Sequence, residues 1–227
     1  MNRLTDISVY YDPGEMDKEL GRLSNYVSEL YHNNLKGYKP PKTSRITLTF
    51  RETVPFDKPI FTGSICGYFV SFDKGELERI GDKKEKYIFL LKKIHGGCLE
   101  LAEKLNWDKE VFENAYRESL TSGLRLVKEY KQIKSRDRKH WGQCILEKTE
   151  DSSVVKLRIG NGQVDEIKLL EKRNWYLFDS ANRMGEKMKW LDNDKFGLKG
   201  KTSGQYLYYS ISERKVETNL KLNYEDM

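Results

Sequence analysis

The chain has 227 residues, of which 37 % are hydrophobic and 33 % charged, with a mean hydropathy of −0.76. That is enough apolar content to build a folded core, and wholesale disorder is excluded. The longest apolar run, Tyr87 to Leu91, is too short to cross a bilayer.

Further features of the sequence point to a compartment. The opening residues MNRLTDISVYYDP lack the apolar stretch of a secretory signal. Three cysteines are an odd number and too few for a disulfide scaffold, so a reducing, cytoplasmic location is expected.

In chain order, Leu4 to Tyr11 reads as a strand closed by the turn residues Asp12-Pro13-Gly14. Met16, Leu20, Leu23, Val27 and Leu30 then recur at helical spacing and predict an amphipathic helix over residues 15–33. Asn33, Asn34 and Gly37 end it, and Pro40-Pro41 marks an extended connection. Ile46, Leu48 and Phe50 alternate with threonines, as a half-buried strand requires, and Cys66 to Phe72 reads as a second strand.

Asp82 is placed to cap a long helix, with Glu85 three residues on. Its stripe runs through Tyr87, Leu91, Ile94, Cys98, Leu101 and Leu105, past Gly96-Gly97, a pair that predicts a kink or a close neighbouring backbone. Asp108 caps the next helix, Trp107 is set to staple onto Phe112, and Gly123 supplies the stop.

Beyond Leu124 the period changes from helical to alternating. Val155, Leu157 and Ile159 face one way, and Asn161-Gly162 is the strongest turn signal in the chain, leading into a strand over Val164–Leu170. Trp175 to Phe178 reads as a short strand, and Tyr206–Ile211 with Val216–Leu222 as a closing hairpin. The glycine- and lysine-rich residues 180–204 read mostly as loop. The expected fold class is therefore α+β: a mixed helix and strand half (1–122), then a basic antiparallel meander of about six strands (123–227). The two stretches read either as separate domains or as one continuous domain.

Charge divides the same way. Residues 1–122 hold 19 basic and 19 acidic side chains, residues 123–227 hold 22 and 16, and the whole +6 lies in the second half. The densest stretch, KEYKQIKSRDRKH, supplies Lys128, Lys131, Lys134, Arg136, Arg138 and Lys139, with Trp141 just beyond it. Such a segment suits an acidic partner, or phosphates with Trp141 as a stacking face. A solvated hairpin with a lysine-guarded edge is the plainer reading. Tyr206 and Tyr208 share one face of their strand, and surface tyrosines commonly anchor binding faces. Tyr209 lies opposite them with Leu207 and Ile211 and is expected in the core.

Signals for other chemistry are weak. His95 and Cys98 share a helix turn, and His140 and Cys144 lie four apart, but no Cys-x-x-Cys knuckle accompanies either pair, so no metal is expected. Asp192 to Gly197 starts like a calcium loop, yet Ser203 stands where a bidentate glutamate is needed. Gly160-Asn161-Gly162 lacks the third glycine and the helix of a phosphate cradle. No cofactor is implied.

One stretch has a family likeness. Asp151, followed by Glu166-Ile167-Lys168 on a neighbouring strand, resembles the metal-dependent PD-(D/E)xK nuclease core. The resemblance implies Mg²⁺ held by the carboxylates, a sharpened water and a lysine stabilising phosphate charge. Salt-laced pairing on an exposed strand is the alternative.

The expected function is accordingly a non-enzymatic, cytosolic interaction module, of adaptor or immunity-protein type. It would dock an acidic protein through the basic, aromatic-bearing second half. Nucleic-acid binding through residues 128–141 and a Mg²⁺-dependent nuclease are the alternatives.

Overall fold

In the computed structural model, which describes residues 3–12, 18–149, 151–161, 163–173, 180–200 and 203–220, the chain divides into two units, Met1–Arg125 and Leu126–Met227. The first unit runs β1 (Asp6–Tyr11), α1 (Lys18–Asn34), β2 (Arg45–Arg51), β3 (Ile60–Thr62), β4 (Ile65–Ser71), α2 (Lys74–Arg79), α3 (Lys83–Lys104) and α4 (Lys109–Thr121). Its sheet has the order β1-β2-β4-β3, with β1 and β4 both parallel to β2 and β3 antiparallel to β4. Helix α1 makes the crossover that a parallel β1–β2 pair requires.

The alternation of Ile46, Leu48 and Phe50 puts all three on the buried face of β2, at most 1 % exposed. Tyr68 and Val70 of β4 extend that face. Helix α3 runs unbroken through the Gly96-Gly97 pair, and the close neighbours there are side chains of the sheet, not backbone. A Cβ at Gly97 would stand 2.6 Å from Val70 Cγ2 and 3.3 Å from Leu48 Cδ2, so the missing side chain lets the helix lie on the sheet. Asp82 accepts the Glu85 N–H at 2.8 Å, and Asp108 accepts the Glu110 N–H at 3.0 Å. Trp107 and Phe112 stack with centroids 6.3 Å apart. Past α4, Gly123 takes φ +65° and its N–H reaches the Leu120 carbonyl.

The second unit comprises β5 (Leu126–Glu129), β6 (Ile133–Lys134), β7 (Trp141–Lys148), β8 (Ser152–Asn161), β9 (Gln163–Arg173), α5 (Ser180–Lys187), β10 (Lys189–Trp190), β11 (Lys195–Lys199), β12 (Tyr206–Ser210) and β13 (Lys215–Thr218). Every strand pair in it is antiparallel, but the expected single meander is two sheets. One has the order β5-β7-β8-β9 with β6 also on β7, and the other β10-β11-β12-β13.

Residues 180–200, expected as loop, hold α5, β10 and β11. Their lysines mislead because they are the outward half of an alternation whose inward half is Met188, Trp190, Phe196 and Leu198. Those side chains pack with Cys144, Leu146, Val155, Leu157, Ile159 and Leu207 into one core. Phe196 lies on the backbone of β7, since a Cβ at Gly142 would be 2.8 Å from its ring. The strand expected over Trp175–Phe178, Gly162 of the expected turn and the end of the closing strand at Leu222 lie outside the described residues. Among the described residues, no helix is long and apolar enough to cross a membrane.

Candidate binding surface

The basic run folds into a hairpin, β6 returning as β7. Ser135 organises its tip. The Ser135 hydroxyl donates to the Asp137 carboxylate at 2.7 Å and accepts the His140 N–H at 3.0 Å. Asp137 also accepts the Lys139 N–H at 3.1 Å. The Ser135 hydroxyl, the Lys139 N–H and the nearby Lys139 charge together hold the Asp137 carboxyl below the usual carboxylate range. Arg138 turns the chain with φ +60°. The hairpin is tied at both ends: Trp190 Nε1 donates to the Ile133 carbonyl at 2.8 Å, and Asp137 N–H to Asn193 Oδ1 at 3.4 Å.

From this frame Lys131, Lys134, Arg136, Arg138 and Lys139 are all exposed, and none forms an ion pair with a described residue. The other expected members of the site behave differently. Lys128 is drawn back over the Tyr130 ring, 4.9 Å from its centroid, and stands 4.0 Å from Glu186. Trp141 lies against β8 and is only partly exposed. It pairs with Gly160 across β7 and β8, and its indole is half-buried in the space a side chain at Gly160 would take.

Tyr206 and Tyr208 occupy the open face of β12, while Leu207 and Tyr209 join the core. The two open rings stack at 5.3 Å, and Lys195 Nζ lies 5.0 Å over Tyr208. The Tyr208 hydroxyl donates to Glu217 at 2.8 Å. Sequence reasoning missed Lys189, Lys195 and Lys199, which the register of β10 and β11 sets on this same face. The Lys-Phe-Gly-Leu-Lys alternation was the signal for the last two.

The nuclease-like residues are not gathered. Glu166 is in register with Arg158, seven positions along β8 from Asp151, roughly 24 Å at strand spacing. Its carboxylate binds Lys156 at 3.1 Å and Arg158 at 3.2 Å, which keep it ionised below the usual range. Arg158 also holds Glu129 at 2.8 Å, Lys156 holds Glu147 at 3.1 Å, and Lys168 pairs with Glu171 at 2.7 Å. The salt-laced strand face is what these residues form.

The remaining signals resolve into structural roles. His95 is buried between Tyr31, 2.9 Å from Nδ1, and Glu113, 3.4 Å from Nε2, with its ring stacked on Tyr116. Cys66, Cys98 and Cys144 are free and buried, and burial pushes the thiols up, to about 11 for Cys66 and about 12 for Cys144. Asp192 accepts the Asp194 and Lys195 N–H groups, and Asp194 accepts the Ser212 N–H and the Ser210 hydroxyl, so the calcium-like stretch is a turn. Among the described residues, no three His, Cys, Asp or Glu side chains converge as a metal site would need. In comparisons with known proteins, no family model, curated protein or solved structure matches the chain.

Proposed function

We propose that the chain is a non-enzymatic, cytosolic interaction module, and that the β6–β7 hairpin docks into an acidic surface of a protein partner. One contrast carries this reading. Lys156, Arg158, Lys168 and Lys215 each form an ion pair with a carboxylate, whereas the five cations of the hairpin form none with a described residue, and only Lys139 has a carboxylate, Asp137, close enough to feel its charge. Exposed cations on a structured turn steer an acidic partner, and the turn's backbone is already ordered before contact. Docking would act by occlusion, as in an adaptor or an immunity protein.

Triple reversal of Lys134, Arg136 and Lys139 to Glu tests it. Wild-type protein, immobilised and exposed to nuclease-treated native cytosol, should retain a partner that elutes with salt. The reversed variant should lose it. Equal retention by both, or loss of the partner on nuclease treatment of the wild type, defeats the reading.

A further inference from the structure

The open face of the β10–β13 sheet has an order of its own. Lys195, Tyr208 and Tyr206 form a file in which the ammonium covers one ring and that ring covers the next. The file is closed at Lys195 and open at Tyr206. Among the described residues, Tyr206 has no second ring or cation against it, and its hydroxyl makes no hydrogen bond. Gly197, beside Tyr208 in register, adds no side chain to the face, because a Cβ there would collide with the backbone of β12.

Charge on this face is uneven, and Lys195 at its middle lies in the field of Asp192, Glu213 and Glu217. On the β13 flank, Lys215 is paired with Glu213 at 2.6 Å and with Glu217 at 3.7 Å. On the β10–β11 flank, Lys189 and Lys199 form no ion pair with a described residue, and Lys199 stands directly opposite Tyr206. Lys199 and Gln205, the register partner and the chain neighbour of Tyr206, also line a cavity of about 750 Å³. That cavity takes its apolar lining from Met188 and Leu198 on the inward side of the sheet, and Lys187 and Lys189 line it together with Glu186, so it opens beside the ring file and is no part of it.

A ligand matched to this face needs flat π surfaces to lengthen the ring file and a parallel row of negative charge for the lysines. An acidic protein surface supplies charge but no regular row of flat rings set along it. Duplex nucleic acid hides its base faces. A single strand presents both. We infer that the open face of β10–β13 binds single-stranded nucleic acid, with a base stacked on Tyr206 and the phosphates along Lys189 and Lys199. This surface is distinct from the hairpin, and the inference does not depend on the docking reading.

The test is fluorescence anisotropy of the full chain with a labelled oligothymidylate of about 12 nucleotides, a length within the range of single-strand sites. Binding should weaken linearly in log salt, and a duplex of the same length should compete poorly. Tyr206→Ala should cost about tenfold in affinity, and Tyr206→Phe, which keeps the ring, less than about twofold. Lys199→Ala should flatten the salt dependence. Irradiation of a 5-iodouracil oligonucleotide bound to the wild-type protein should crosslink Tyr206, a readout that survives if the alanine variant fails to fold. Absent binding at low salt, indifference to Tyr206→Ala in a folded variant, a crosslink located elsewhere, or equal competition by polyglutamate overturns the proposal. Tyr206→Ala leaves every hairpin cation in place, so its effect is separable from acidic-partner docking.

Discussion

Trp141 fills the volume that Gly160 leaves empty on the facing strand, so the two residues together do the work of one cross-strand pair. Only glycine allows it. Gly160→Val should force the indole off β8 and cost about 1–3 kcal/mol, the usual range for overpacking. Urea unfolding measures the loss, and a red shift in tryptophan emission reports the displaced ring. An unchanged midpoint would show that the indole repacks freely.

The adjacent glycines of α3 should respond with opposite signs. A Cβ at Gly96 meets nothing within 4 Å, so Gly96→Ala should stabilise by up to about 1 kcal/mol through helix propensity. Gly97→Ala should instead destabilise by about 1–3 kcal/mol, because the new methyl strikes Val70. Adding Val70→Ala to Gly97→Ala should return part of that loss, and a double-mutant cycle measures how much.

His95 makes the first unit sensitive to acid. Burial lowers its pKa below the ordinary value against the opposing pull of Glu113, so the folded state binds the proton less readily than the unfolded chain. The associated stability is present above the unfolded value, about 6.5, and is lost as pH falls through the folded one. Tyr31, Glu113 and Tyr116 lie against the ring, and Glu113 is the one carboxylate among them. Urea midpoints should therefore fall between neutral and mildly acidic pH. Glu113→Gln, which removes the favourable charge, should steepen that fall.

Arg138 separates stability from binding. Its left-handed φ of +60° disfavours any residue with a side chain, so Arg138→Gly should stabilise the hairpin by about 1 kcal/mol. The same change removes a docking cation and should weaken partner retention at low salt. A variant that is more stable yet binds less well marks the side chain as a contact.

What was legible in the sequence follows the range of the interaction. The caps at Asp82 and Asp108 and the stop at Gly123 depend on a few neighbouring residues, and they stand where local chemistry puts them. The split of Tyr206 and Tyr208 from Leu207 and Tyr209 needs only the two-residue period of a strand. Strand partners need the whole chain. Nothing in Ile7 or Ile46 announces that β1 and β2 run parallel. The division of the second half into two sheets likewise depends on Phe196 seating on Gly142, 54 positions earlier in the chain. Pairing also bears on two side-chain roles: Gly160 seats part of the Trp141 indole against β8, and Lys156 and Arg158 engage the Glu166 carboxylate.

The burial of all three cysteines gives the molecule an internal chemical clock. Cys66 and Cys98 lie in the first unit and Cys144 in the second, and their thiols stay protonated and shielded from alkylating reagents while the fold is closed. Iodoacetamide can therefore mark a cysteine only during a transient opening of its surroundings. Mass-resolved peptides would time the breathing of each half separately, in one tube and without any engineered label.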